Sequence, residues 1–247
     1  MLLDYLESWY HVGPLNIHLL GVFAAIGILV GMWLAGKLAA ERGMNQDTIY
    51  EGAVVAVVGG LVGARLLSVA LSPSIYLTDP LRILQLHQGG LAIQGGLAGG
   101  VLAAVVYFRI RKGDFWSSAD CVAPSLAIAE AIGRFGCDVV GVASASAPWP
   151  RIVGGIAYHN LPLYSFAANM LVFAVLWRLR GKLLRGNLFL LYLALYGATR
   201  AVIDYFRGNQ IFLSVLSPGQ IGSLVLLVVA VMVMARRNGG RLKGMAS

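Results

Sequence analysis

Charge is what this 247-residue chain has least of: only 12% of its residues are Asp, Glu, Lys or Arg, where soluble domains carry about a quarter. With 58% hydrophobic residues and a mean hydropathy of +0.76, that shortage excludes a soluble globular protein. Acidic residues are scarcer than basic ones, 11 against 19. In a soluble chain such an excess would suggest nucleic acid; beside long apolar runs it reads as basic loops facing cytoplasm and anionic lipid, so no nucleic-acid partner is expected. There are two cysteines, Cys121 and Cys137, at opposite ends of one apolar segment and too far apart on a helix to bridge. No Cys/His spacing suits a metal, and no Walker loop, dinucleotide fingerprint or Ser/His/Asp order is present, so neither metal nor cofactor is expected. His11, His18, His87 and His159 fall at outer span ends or in outer loops and are weak catalytic candidates unaided. The amino-terminal segment carries Asp4 and Glu7 and lacks a basic n-region, which argues against a cleavable signal peptide.

What the chain has instead is a succession of apolar stretches of about 20 residues, the length that crosses a bilayer. They predict an all-α, polytopic membrane protein forming one integral-membrane domain over residues 1–247, with about seven transmembrane helices. The spans read as Ile17–Ala40, Ile49–Leu71, Leu91–Phe108, Asp120–Cys137, Leu163–Trp177, Leu188–Phe206 and Pro218–Ala235. The third and fifth are short for a full crossing and could be tilted or re-entrant. Basic residues cluster after spans one, three, five and seven, as in Arg109, Arg111 and Lys112, and again in Arg236, Arg237, Arg241 and Lys243. The opposite ends hold only Arg82, Arg151 and Arg207. The bias places the amino terminus outside and the carboxyl terminus in the cytoplasm.

Arg65, Arg134 and Arg200 remain, each inside a predicted span. A charge at membrane depth costs at least a few kcal/mol, so it needs a partner or a task. Glu130 and Arg134 are four residues apart, and Tyr196, Arg200 and Asp204 recur every four, so each set shares one helical face, with Arg207 continuing the second. Two arginine–carboxylate faces suit an anionic head group, because guanidinium binds phosphate oxygens bidentately and stays charged at any depth. The alternative is two self-neutralising ion pairs. The stretch Gly89–Gly100 offers small residues and one amide, Gln94; it could form a re-entrant wall against a head group or a glycine seam for helix packing. Gly59-Gly60-Leu-Val-Gly63-Ala-Arg65 has the character of a packing seam, with Arg65 as its exception.

These residues resemble, in order, the motifs of the prolipoprotein diacylglyceryl transferase family. The segment from Gly13-Pro14 to His18-Leu-Leu-Gly21 is similar to its opening, and Gly59–Arg65 to its second-span motif. Gln88-Gly-Gly-Leu-Ala-Ile-Gln94-Gly-Gly resembles "GGMSFHGG", and Ile132-Gly-Arg134-Phe-Gly136 the start of "GRxGNFxNGE". Tyr196-Gly-x-x-Arg200-x-x-x-Asp204 resembles "YGxxRxxxE", Phe206-Arg207 follows, and Leu216-Ser-Pro-Gly219-Gln220 resembles "SxGQ" before the last helix. The resemblance implies a multi-pass enzyme of the bacterial inner membrane. Its partners would be phosphatidylglycerol, the lipobox of a prolipoprotein signal peptide and membrane lipids. The diacylglyceryl group would pass to the lipobox thiol, forming a thioether and releasing glycerol phosphate, as the first step of lipoprotein maturation.

On this resemblance Arg134, Arg200, Tyr196 and Asp204 are the catalytic set: the arginines bind phosphate, Tyr196 orients it, and Asp204 positions Arg200 or accepts a proton. Gln94, Glu130, Arg207 and Arg65 join Arg134 and Arg200 in substrate binding. The chain departs from the family at several polar positions. Gln94 stands where the glycine motif has histidine, Cys137, Val140 and Val142 where the signature has two asparagines and a glutamate, and Leu20 where the first span has tyrosine. His159-Asn-Leu-Pro-Leu-Tyr164-Ser165 lacks the Gln and Glu of "HPxQLYE". The pattern favours retained phosphate binding, with the thiol deprotonated by Asp138, Asp204 or the leaving phosphate. The rival functions are a lipid-binding or lipid-moving protein without transfer chemistry and a phospholipid-dependent transferase with another acceptor.

Overall fold

The computed structural model describes residues 9–12, 15–85, 90, 92–208 and 216–244. A short antiparallel hairpin, β1 (Trp9–Val12) and β2 (Leu15–His18), precedes α1 (Leu19–Glu41) and α2 (Gln46–Leu71). After α3 (Pro73–Thr78) and a 3-10 turn over Pro80–Leu84 come α4 (Ile93–Ile110) and α5 (Phe115–Gly133). A second 3-10 turn, Arg134–Gly136, leads to the hairpin β3 (Arg151–Val153) and β4 (Ile156–Tyr158), then α6 (Leu161–Leu179), α7 (Asn187–Tyr205) and α8 (Pro218–Gly244). The chain is an all-α membrane protein: among the described residues α1, α2, α6, α7 and Gly219–Asn238 of α8 are each long and apolar enough to cross a bilayer. Their outer surfaces fit lipid, with Leu29, Trp33, Leu66, Leu171 and Val202 all more than half exposed.

Local chemistry explains where the helices depart from the expected spans. Asp114 accepts the backbone N–H of Ser117 at 3.2 Å and its hydroxyl at 2.5 Å, so α5 starts at Phe115, five residues before the expected Asp120. It ends at Gly133, short of Cys137, because Gly133 and Gly136 bracket a tighter turn. Gly136 lies on the start of α1, where a Cβ would meet the Leu19 carbonyl oxygen and the Leu20 Cα at 2.6 Å. Asn160 caps α6 by accepting the Leu163 N–H at 3.2 Å, with Pro162 in the first turn, and the helix runs 19 residues instead of the shorter expected span. Of the motif stretches, Gly13-Pro14, His87, Gln88-Gly89 and Leu91 lie outside the described residues.

The fold divides into two compact units, residues 36–118 and residues 1–35 with 119–247. In the first, α2 and α4 meet along glycines. A Cβ on Gly63 would fall on the Gly95 carbonyl oxygen and one on Gly99 on that of Gly59, so only glycine permits this approach. Of the two readings of Gly89–Gly100, the packing seam holds from Ile93 onward: the stretch is regular helix, joined to α2 by the Ala92 N–H to Ala64 carbonyl bond of 3.0 Å. In the second unit α5, α6 and α7 share a core of Ala123, Ala127, Val172, Leu176, Leu188 and Tyr192. The alanines let α5 sit close to its neighbours, which matters where lipid is as apolar as leucine and packing must drive association.

Candidate functional site

The site lies in the second unit, where the 3-10 turn after α5, α6 and α7 converge. Seven residues line a small, partly open cavity: Arg134, Ser165, Asn169, Tyr196, Thr199, Arg200 and Ile203. Arg134 is carried past the end of α5, and the neighbouring Phe135 fixes its turn. That ring packs on Phe166 of α6 at 4.8 Å between centroids and on Phe23 of α1 at 6.0 Å. Tyr196 and Arg200 are one turn apart on α7, as their spacing predicts. Among the described residues, neither Arg134 nor Arg200 makes an ion pair or side-chain hydrogen bond. Two guanidiniums from different elements thus face one small cavity with their donors available to an anion.

Glu130 stands beside this cavity and is not part of its lining. Its Oε1 accepts the Tyr192 hydroxyl at 3.2 Å, while its buried Oε2 has no hydrogen-bond partner among the described residues. Tyr192 in turn stacks on Tyr196, with ring centroids 6.0 Å apart. The Glu130 carboxyl lies within electrostatic reach of Arg134 and Arg200.

The other expected site residues are not in the cavity lining. Asp204 neither pairs with Arg200 nor lines the pocket. It is buried, accepts the Ser217 hydroxyl, and has Arg207 Nη1 3.8 Å from its Oδ1. Ser217 and Gln220 cap each other at the start of α8, the Ser217 N–H on Gln220 Oε1 at 2.9 Å and the Gln220 N–H on Ser217 Oγ at 3.1 Å. Asp204 therefore anchors α8, and Arg207 belongs to that anchor. Gln94 is exposed on the first turn of α4, in the other unit.

Arg65, also in that unit, is buried and turned onto loop backbone. Its Nε donates to the Ile83 carbonyl at 2.9 Å, Nη1 to Gly90 at 2.9 Å, and Nη2 to Gln85 at 3.2 Å and to Arg82. The Tyr76 ring lies 5.2 Å beneath the guanidinium. Its geometry is that of a loop clamp, in place of the expected substrate contact. His159 is tied into a third arrangement: its Nδ1 is 3.0 Å from the Tyr164 hydroxyl, which donates to the Pro148 carbonyl at 2.6 Å.

Sequence reasoning passed over Asn169, Thr199 and Ile203, and noted Ser165 only as a departure from a motif. A signal was there, since Ser165 and Asn169 are polar residues four apart in an otherwise apolar helix. It also passed over Asp120, whose carboxylate accepts the Gly186 N–H at 2.7 Å and the Phe189 N–H at 3.0 Å. This holds the N-terminus of α7 to α5 and pairs two backbone donors there that the helix itself does not.

Comparison with known proteins agrees with the motif order. Residues 8–236 match the family described as prolipoprotein diacylglyceryl transferase. A phosphatidylglycerol–prolipoprotein diacylglyceryl transferase of Bacillus cytotoxicus is 31% identical over 251 residues, covering 94% of this chain and 92% of the relative. The proteins of that name from Symbiobacterium thermophilum and Nostoc sp. are 34% and 33% identical, covering 90% and 86% of this chain and 87% and 82% of their own lengths. With similarity running along nearly the whole chain, and with the two motif arginines facing one cavity, this protein belongs to the prolipoprotein diacylglyceryl transferase family.

Proposed function

We propose that this chain transfers the diacylglyceryl group of phosphatidylglycerol to the thiol of a prolipoprotein lipobox cysteine. The observation that carries the reading is the pair Arg134 and Arg200, two guanidiniums on one cavity at the meeting of three elements, without an ion pair among the described residues. A thioether product requires a new C–S bond, so the bond that breaks is the C–O bond between the diacylglycerol and the phosphate. The phosphate leaves with that electron pair and gains a second negative charge. Guanidiniums already in place stabilise that charge as it develops, and they do so more strongly in a site shielded from water. Tyr196, on the same wall, orients the phosphate.

The thiol proton must also be accepted. Among the described residues the cavity lining has no carboxylate and no histidine, and Asp204 is committed to Ser217 and Arg207. Asp138 is exposed in the loop after the 3-10 turn. The leaving phosphate is then the acceptor that the pocket itself supplies; its second pKa is near 6, so the monoester takes up or releases a proton readily near neutrality.

The helices α1, α2, α4, α5, α6, α7 and α8 make seven crossings in this reading, with the amino terminus outside and the carboxyl terminus in the cytoplasm of a bacterial inner membrane. α4, with 18 residues, is the shortest of these helices, and α5, with 19 like α6 and α7, is the less apolar for carrying Asp120, Ser125 and Glu130. The test is direct. Purified protein with phosphatidylglycerol and a lipobox peptide should add one diacylglyceryl mass to the peptide and release one glycerol phosphate. Lipid that binds without either product would leave a binding protein in place of a transferase. A product formed on a peptide lacking cysteine would assign another acceptor.

A further inference from the structure

Two arginines account for a phosphate, yet they leave the α6 side of the pocket unexplained. That wall is neutral and polar. Ser165 and Asn169 lie one turn apart on α6, are 4% and 5% exposed, and both line the cavity. Neither side chain makes a hydrogen bond to any described residue. An amide has two donors and an acceptor and a hydroxyl one donor, so this wall keeps hydrogen-bonding groups for whatever occupies the cavity. Thr199 completes the set. Its hydroxyl hydrogen is shared between the Leu195 and Tyr196 carbonyls at 3.0 and 3.1 Å, so what remains for a ligand is its oxygen as acceptor.

Charge narrows the choice of ligand. With two guanidiniums and, among the described residues, no carboxylate in the lining, an ammonium-bearing head group would meet like charge, which disfavours it. Hydroxyls donate and accept at once, as amide and hydroxyl side chains require. We infer that Ser165, Asn169 and Thr199 form a subsite for the hydroxyls of the alcohol esterified to the phosphate. This deepens the reading above and rests on it: the arginines hold any phosphodiester, and the neutral wall selects a polyol head group over other phosphodiesters.

Phosphatidylmethanol is the probe, because it has the same single negative charge and no free hydroxyl. In competition binding to the purified full chain in detergent, followed by native mass spectrometry, phosphatidylglycerol should bind about tenfold better, the scale of one or two net hydrogen bonds. Asn169→Leu and Ser165→Ala should each bring that ratio towards one. Arg200→Ala should weaken both lipids and leave the ratio standing. Thermal unfolding in the same detergent identifies any variant that has lost its fold, and Ser165→Ala, which removes one oxygen, carries the test if Asn169→Leu does not fold. An unchanged ratio in the folded wall variants overturns the subsite and leaves the phosphodiester pocket intact. If Arg200→Ala weakens neither lipid, the pocket reading itself fails and the subsite goes with it.

Discussion

Arg65 and the pair Arg134 and Arg200 pose the same physical problem and solve it in opposite ways. Each places a guanidinium in or beside an apolar helix, where an unpaired charge is costly. Arg65 resolves the cost within its own unit, with donors on the carbonyls of Arg82, Ile83, Gln85 and Gly90 and a tyrosine ring beneath it. Arg134 and Arg200 have no such partners among the described residues and share a cavity instead. A buried arginine is thus not by itself a site. Whether its donors are already satisfied by protein decides between scaffold and chemistry.

Substitutions should separate the two kinds. Arg134→Ala or Arg200→Ala is expected to lower turnover of a lipobox peptide by about 10²–10³-fold, the loss of one preorganised donor at a developing charge, with little change in thermal unfolding. Arg65→Ala should do the reverse. It leaves loop carbonyls unpaired and should destabilise the protein by ~3 kcal/mol in detergent unfolding, while the fraction that remains folded keeps its kcat/KM. Gly63→Ala, in the same unit, drives a Cβ into the Gly95 carbonyl and should cost ~2 kcal/mol by overpacking; an unfolding midpoint equal to that of the parent protein would show that the seam is looser than its geometry. Asp204→Asn weakens the anchor of α8 and should cost ~1 kcal/mol, with turnover reduced less than tenfold. A loss as large as that of Arg200→Ala would return Asp204 to the reacting centre.

Much of this arrangement was legible in the residues. Apolar run length gave the helices, and the four-residue spacing of Tyr196 and Arg200 put both on one wall of the cavity. The role of Arg65 was not legible, because its partners are backbone carbonyls, which every residue has and no sequence pattern marks. Asp204 was misread for a related reason. Its four-residue distance from Arg200 is a property of α7, but its actual partner Ser217 comes from the start of α8. Glycine seams and re-entrant loops share a composition, so Gly89–Gly100 could not be decided until α2 was seen against α4. The wall of Ser165 and Asn169 was visible as two polar positions on an apolar helix. It went unweighted because a neutral side chain carries no desolvation alarm of the kind a charge does.

The bond between Asp120 and the first turn of α7 also sets a length. At 1.5 Å per residue, Gly133, the residue before Arg134, lies about 20 Å beyond Asp120 along α5, and Arg200 about 20 Å beyond Asn187 along α7. Two rods fastened at one end and equally long deliver their tips to the same height. A one-residue insertion in either helix between fastening and tip would raise that tip by about 1.5 Å and turn it by about 100°, taking one guanidinium out of the cavity. Asp120, some 20 Å from the chemistry, acts as the datum from which the spacing of the two arginines is measured.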